Sequence, residues 1–350
     1  MKILKRAEES LEKELPFVVY NKPNEKAVKG FFQKNEELFT AASYTESGFI
    51  FAPFDNKETS ILIPDNQSEF LEEDISFSVS QGKFEEVPLE EVVRFQHIDL
   101  VKKGIVAINT GSLKKVVLSR KENVFLKKDS VLDIFKRLVK NYPTAFVYLW
   151  FHPKVGVWIG ATPETLLSTT ENTFKTMSLA GTLTAKNEED IVWGEKELEE
   201  QEMVTDYLIE KIGSITKDYK VSKQETYRIG DLFHLRTKVE GTYNESIESL
   251  INLLHPTPAV CGFPKEQAKQ FILENEMYQR KFYTGYLGEL NIGIDSVNSS
   301  SLFVNLRCME VNLDGEKGTI YVGGGITKDS EPQKEFQETI FKSYAIKNNL

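Results

Sequence analysis

Apolar positions in this chain follow two spacings, which mark out groups of strands set between helices. Residues 2–14 read as an amphipathic helix with Leu4, Leu11 and Leu15 on its apolar side. Strands are expected at 17–20, 48–53 and 60–64, and a long helical pattern covers about 87–108. The stretch LKKVVLSRKENVFL (113–126) reads as a strand, and SVLDIFKRLVKNY (130–142) as a helix capped by Ser130 or Asp129. TAFVYLWFHPKVGVWIGAT (144–162) breaks into two strands around His152-Pro153, and a further strand pair spans about 165–185. The charged segment 188–218 has the clearest helical pattern; strand pairs return at 223–243, and helices at 245–254 and 264–277. SLFVNLRCMEVNLDGEKGTIYVGGGI is read as a closing hairpin that turns at Asp314-Gly315. Hairpins cluster between helices and do not alternate strictly with them, which predicts an α+β fold with largely antiparallel sheets. No repeat, linker or shift in composition divides the chain, so one domain over residues 1–350 is expected.

Composition narrows the function classes. Apolar residues make up 40% and aromatics 11%, enough for a sizeable core. A net charge of −10 with no long basic run argues against a nucleic-acid partner. Cys261 and Cys308 stand far apart and make neither a disulfide framework nor a zinc motif. No apolar run reaches the length of a membrane span, and the charged N-terminus MKILKRAEESLEKEL does not read as a signal peptide. The expectation is a cytoplasmic protein that does not engage a membrane, and, with no partner-binding helix evident, a monomer.

The chemistry concentrates near the end of the chain. YVGGGITKDSEPQKEFQETIFK (321–342) reads as a strand-like segment, a glycine-rich turn and a helix that carries Glu335, Glu338 and Lys342 on one face. Gly323-Gly324-Gly325 matches neither a dinucleotide nor a Walker loop, and the acids behind it would repel phosphate. Carboxylates suit a hard cation such as Mg²⁺, and Lys342 with the glycine amides suits a small anion. On spacing alone, a solvated face with Glu338–Lys342 pairing is the commoner explanation. Glu197 and Glu200 repeat the pattern on the 194–212 helix, with Glu200 near its buried edge, where an unpaired carboxylate is costly. Lys115, which shares a strand face with Val117, fits either a desolvated base or a snorkelling amine. Glu164, after Gly160-Ala161-Thr162-Pro163, fits either a desolvated acid or the cap of a short helix. His97, His152, His234 and His255 show no zinc spacing.

With these residues in view, the chain resembles the chorismate-utilising enzymes, and within them the isochorismate synthase branch. The matching segments are KVVLSR (115–120), GATPETLL (160–167), MSLAGT (177–182), EKELEEQEMV (195–204), LFHLRTKVEGTY (232–243), LLHPTPAVCGFPKEQA (253–268), FVNLRCME (303–310) and 321–342. They cover about 110–345; residues 1–110 correspond to the family's variable N-terminal part. The resemblance implies a single large α+β domain of two packed, largely antiparallel sheets flanked by helices. It implies a Mg²⁺ held by Glu200 and Glu338, with Glu335 and Glu197 acting through water. It places Arg307, Lys342 and the Gly323–Gly325 backbone on the substrate carboxylates of chorismate. Gly181, Thr182, Ala259, Tyr283 and Leu306 line the same pocket by that resemblance, and His234 sits near the ring. It makes Lys115 the base that activates water for attack at C2, and Glu164 the acid for the departing C4 hydroxyl. Aminodeoxychorismate synthases carry Lys where this chain has Ala180, and anthranilate synthases carry Gln where it has Lys115. Both branches are disfavoured, and with them an amidotransferase subunit. Salicylate synthases share Lys115 and Glu164 and stay as the alternative. A non-catalytic relative would be expected to have lost one of that pair. The implied role lies in menaquinone or siderophore biosynthesis.

Overall fold

The computed structural model describes residues 1–79, 82, 90–126, 131–184, 187–229, 232–294, 297–312 and 316–350. Two antiparallel sheets dominate them. The first has nine strands. In spatial order these are Gly262–Phe263, Lys115–Phe125, Lys317–Ile326, Cys308–Val311, Gly156–Thr162, Phe146–His152, Phe17–Asn21, Ala27–Gln33 and Ser68–Asp74. The second has ten strands. Nine of them run Tyr219–Val221, Leu232–Thr242, Thr173–Thr184, Thr165–Thr170, Val297–Val304, Tyr286–Ile294, Gly48–Ala52, Ser60–Pro64, Phe39–Ala41, and Glu225–Ile229 pairs with Leu232–Thr242.

The sheets meet over an aromatic core. Tyr20, Phe146, Tyr148, Trp150, Trp158 and Tyr321 of the first pack against Phe49, Phe51, Leu287 and Phe303 of the second. Phe51 is central: it stacks on Phe282 at 4.3 Å and meets Trp150 and Trp158 edge-on at 5.1 and 5.9 Å. Tyr20 Oη donates to Glu289 Oε1 across the layer at 2.5 Å, and Lys22 pairs with the same carboxylate. A buried acid is thereby compensated from the opposite sheet.

Helices cover the outer faces. Lys2–Glu12, Val131–Asn141 and the end of Pro332–Lys347 lie on the first sheet through Ile3, Leu138 and Ile346. Glu195–Ile215 and Ile247–Leu254 lie on the second through Leu208, Ile212 and Leu250. Glu91–Asn109 and Lys265–Asn275 close one end over Val116, Leu118 and Ile326. Within Lys115–Phe125 the side chains alternate: Val116 and Leu118 face those helices, while Lys115 and Val117 face inward, as the shared-face reading requires.

Several expectations are corrected. The first helix packs through Ile3, Leu4 and Ala7 and ends at Glu12; Glu14 has a left-handed φ of 54°, which stops the helix before Leu15. The strands Ala27–Gln33, Phe39–Ala41 and Ser68–Asp74 went unread; the last, SEFLEED, is an acidic edge strand whose exposure hides it from an apolar pattern. The long charged helix starts at Glu195, because Gly194 is extended and Glu188–Asp190 forms a separate 3₁₀ turn. The three glycines form strand and not turn: Gly323, Gly324 and Gly325 pair with Ser119, Leu118 and Val117. No helix follows Pro163; Gly156–Thr162 and Thr165–Thr170 flank it. The closing hairpin is Cys308–Val311 with Lys317–Ile326, while Val297–Val304 belongs to the other sheet. The proposed hairpin turn at Asp314-Gly315 and the helix cap at Asp129 or Ser130 lie outside the described residues.

Phe51→Ala should destabilise the protein by about 3–5 kcal/mol, the cost of a large aromatic lost from a close-packed core. Phe125→Ser, at a side chain 63% exposed, should stay within about 0.5 kcal/mol. Urea unfolding of the two variants beside the unaltered chain measures the difference.

Candidate active site

The chain passes between the sheets at two neighbouring points. Thr162-Pro163-Glu164 links Gly156–Thr162 of the first sheet to Thr165–Thr170 of the second, and Asn305–Arg307 links Val297–Val304 back to Cys308–Val311. The crossings are bonded together: Thr162 Oγ1 donates to the Val304 carbonyl at 2.5 Å, the Val304 amide to the Glu164 carbonyl at 2.9 Å, and the Ala161 amide to the Arg307 carbonyl at 3.1 Å. Arg307 itself takes a left-handed φ of 47°. A cavity opens beside them, and Glu164, Gly181, Thr182, Glu200, His234, Ala259, Tyr283, Leu306, Arg307, Gly323, Gly325 and Lys342 line it. Ala180, the position that separates one branch in the resemblance, faces it as well; Val117, Pro163, Val260, Thr284 and Tyr321 also face it and were given no role from the sequence, since their apolar or neutral character gave no chemical signal.

Glu164 and Arg307, both facing the cavity, are perturbed mainly by burial. Glu164 is 3% exposed. Burial pushes its carboxyl up to about 8 against the opposing pull of Lys115, so it carries its proton at neutral pH. Burial also pulls the Arg307 guanidinium down to about 10, with Tyr142 opposing. Among the described residues no ion pair compensates Arg307, which leaves it free to meet an anion.

His234 holds that guanidinium. Arg307 donates to His234 Nε2 at 2.8 Å; because arginine only donates, Nε2 must accept. The proton therefore sits on Nδ1, which donates to the Gly181 carbonyl at 2.9 Å. Burial, then Arg307 and Lys342, hold His234 well below the usual histidine range, so the ring is neutral. Gly181 is placed by a bulge between Ala180 and Leu183, with φ 73°, and a Cβ there would lie 3.2 Å from Glu197.

The acidic residues meet lysines. Lys115, 0% exposed, stands 2.9 Å from Glu200 Oε1, yet off the line of an aligned hydrogen bond. Lys342 pairs with Glu338 at 2.6 Å and donates to the Gly323 carbonyl at 3.1 Å. Lys196, which the sequence reading passed over although it shares a helix face with Glu200, pairs with Glu335 at 2.6 Å. Burial raises the Glu200 carboxyl, but Lys115 foremost, then Lys342 and Lys196, bring it below its ordinary value. Glu335 goes the other way: burial and the nearby Glu338 raise it against Lys196.

These carboxylates converge on a stretch of bare backbone. A Cβ at Gly324 would sit 3.6 Å from both Glu335 Oε2 and Glu338 Oε1, and one at Gly325 would collide with Glu200 Oε1. Among the described residues no three His, Cys, Asp or Glu side chains already form a metal cage. The donor chemistry nevertheless fits a hard divalent cation: the oxygens gathered there are carboxylate oxygens, each pairing with a lysine that a cation could replace, and the crowding that raises Glu335 is what a cation would relieve. Glu197 differs from the other three, packing its Cβ under Gly181 with its carboxylate near Gly194.

Comparison with known proteins gives this arrangement its class. A family model described as chorismate binding enzyme matches residues 52–350, and the chain belongs to that family. Its relatives include isochorismate synthases. MenF of Haemophilus influenzae is 27% identical over 72% of this chain, which spans 60% of that relative; EntC of Escherichia coli is 28% identical over 85%, spanning 79%. The crystal structure of DhbC from Bacillus anthracis has a TM-score of 0.80 at 23% identity, covering 98% of this chain and 99% of that one. The two packed antiparallel sheets expected from the sequence are thus the family's fold.

Gly325→Ala should cut turnover by about 100-fold, the scale expected when a reacting group is displaced by about 1 Å, while circular dichroism and the melting profile stay near those of the unaltered chain. Steady-state rates on the purified variant are the check.

Proposed function

We propose that this chain is an isochorismate synthase, adding water at C2 of chorismate and expelling the C4 hydroxyl. The observation that carries the reading is a cavity lined by Glu164, protonated at neutral pH, by Arg307, which no ion pair among the described residues compensates, and by Glu200, behind which the wholly buried Lys115 stands 2.9 Å away. Chorismate is a dicarboxylate, and Arg307, Lys342 and the Gly323–Gly325 backbone supply what its carboxylates need. Lys115 takes a proton from the attacking water, whose oxygen bonds to C2. The ring double bonds shift, the C4–O bond breaks, and Glu164 gives its proton to the departing hydroxide, so one water enters and one leaves. His234, neutral and bonded at both nitrogens, keeps Arg307 aimed at the cavity and is not the proton carrier. Glu200 and Glu338 would hold Mg²⁺, with Glu335 and Glu197 bonded through water. When bound, the ion neutralises and orients a substrate carboxylate. The protein acts without an amidotransferase subunit, because its nucleophile is water.

Incubation of the purified chain with chorismate and Mg²⁺ should give isochorismate alone, and chelation of the metal should stop it. Chromatography of the products decides: salicylate with pyruvate, or no conversion, would overturn the assignment.

The acid role predicts a pH dependence. Glu164 must be protonated to donate and titrates near 8, so kcat should hold below that pH and fall about tenfold per unit above it. A pH–rate profile tests this, and Glu164→Gln, which has no proton to transfer, should show no conversion at any pH.

A further inference from the structure

One buried ion pair is left unused by that mechanism. Glu276 and Arg280 follow the Lys265–Asn275 helix with side chains 1% and 2% exposed. Their contact is two-pronged: Arg280 Nε donates to Glu276 Oε2 at 2.8 Å, and an η nitrogen to Oε1 at 2.6 Å. Any buried pair must satisfy its remaining donors; what distinguishes this one is where its acceptors lie. This one spends every remaining hydrogen on a wall of the cavity. Arg280 donates to the Val117 carbonyl at 2.7 Å, the Val260 carbonyl at 3.0 Å and Thr284 Oγ1 at 3.2 Å. All five guanidinium donors are thereby engaged. Glu276 Oε1 also accepts from the amide and the hydroxyl of Ser119 at 2.8 and 2.7 Å.

The three tethered segments are distant in sequence and each carries part of the site. Val117 and Ser119 lie on the strand that begins with Lys115; Val260 follows Ala259; Thr284 follows Tyr283. Val117, Val260 and Thr284 all line the cavity. Ser119 is bonded to the same carboxylate two residues further along the strand, so the pair grips the Lys115 strand at two successive inward positions.

We infer that Glu276–Arg280 is a positioning clamp that fixes the strand register of Lys115 against the Ala259 and Tyr283 walls, without touching substrate. The inference rests on the isochorismate synthase reading above. Lysine cannot replace the arginine here: an ammonium has three donors and no planar fork, and cannot reach Glu276, Val117, Val260 and Thr284 together.

The test uses two variants of the full chain, assayed with chorismate and Mg²⁺. Arg280→Lys keeps the charge and should lower kcat about 100-fold while KM moves less than threefold and the loss of activity near pH 8, set by Glu164, stays in place. Arg280→Ala should be nearly inactive and should regain activity in low millimolar guanidinium chloride but not in urea at the same concentration. A variant that had merely lost stability would be restored by neither, since millimolar concentrations are far below those that act on folding. Should Arg280→Ala not fold, Arg280→Lys decides alone. An Arg280→Lys kcat within twofold of the unaltered chain, or a folded Arg280→Ala that guanidinium does not restore, would overturn the clamp. Absence of turnover by the unaltered chain would instead overturn the functional reading, and the clamp's catalytic meaning with it.

Discussion

The site exists because the chain passes between two sheets at adjacent places and must satisfy its backbone there. At 162–164 and 305–307 the chain leaves one sheet for the other, and bonds run across between the two stretches: Thr162 Oγ1 donates to the Val304 carbonyl, the Val304 amide to Glu164, and the Ala161 amide to Arg307. Buried backbone groups left unpaired would be costly, and these bonds both satisfy such groups and tie the two crossings together. Each also carries one ionisable side chain into the gap, Glu164 on one and Arg307 on the other. The fold's need to pair buried amides and the site's need for an acid beside a cation are met by the same few residues.

Charge in the cavity is handled in two ways. Glu200, Glu335 and Glu338 each find a lysine, which keeps the carboxylates inside the protein without requiring that they be neutral. Among the described residues Glu164 and Arg307 have no such partner and respond to desolvation, the one by holding its proton and the other by loosening its own. Under the proposed function, an incoming cation would take over from the lysine ammoniums. The unpaired two suit chemistry and recognition. His234 belongs with the second set as a support, its tautomer fixed by Arg307 on one side and the Gly181 carbonyl on the other.

Much of this was legible in the sequence, unevenly. Long apolar strands such as Phe146–His152 and the amphipathic Val131–Asn141 helix are plain, because one face of each is buried almost without interruption. Ser68–Asp74 was invisible because an acidic edge strand carries no apolar signal. The closing hairpin was misread because Leu302–Val304 and Cys308–Val311 are both apolar, and nothing local marks the left-handed Arg307 between them as a change of sheet. Lys115 and Glu164 stood out as charged residues within apolar runs, but the residues alone left a snorkelling amine and a helix cap open. The convergence of Glu200, from one helix, with Glu335 and Glu338, from another, is a tertiary fact that no spacing contains; the motif resemblance suggested it. Lys196 and the Glu276–Arg280 pair escaped because charged residues on helices and loops are ordinarily solvent-facing.

The glycines in Lys317–Ile326 carry an implication for how such a pocket can diversify. Gly323, Gly324 and Gly325 are paired strand residues whose missing Cβ atoms leave room for Tyr283, the carboxylates and Lys115. A side chain at Gly323 or Gly325 must displace a neighbour, so this part of the wall is closed to gradual evolutionary tinkering. Ala180, Ala259 and Leu306, which face the same space with small or flexible apolar groups, are where drift can reshape what the pocket accepts while the reacting groups stay put.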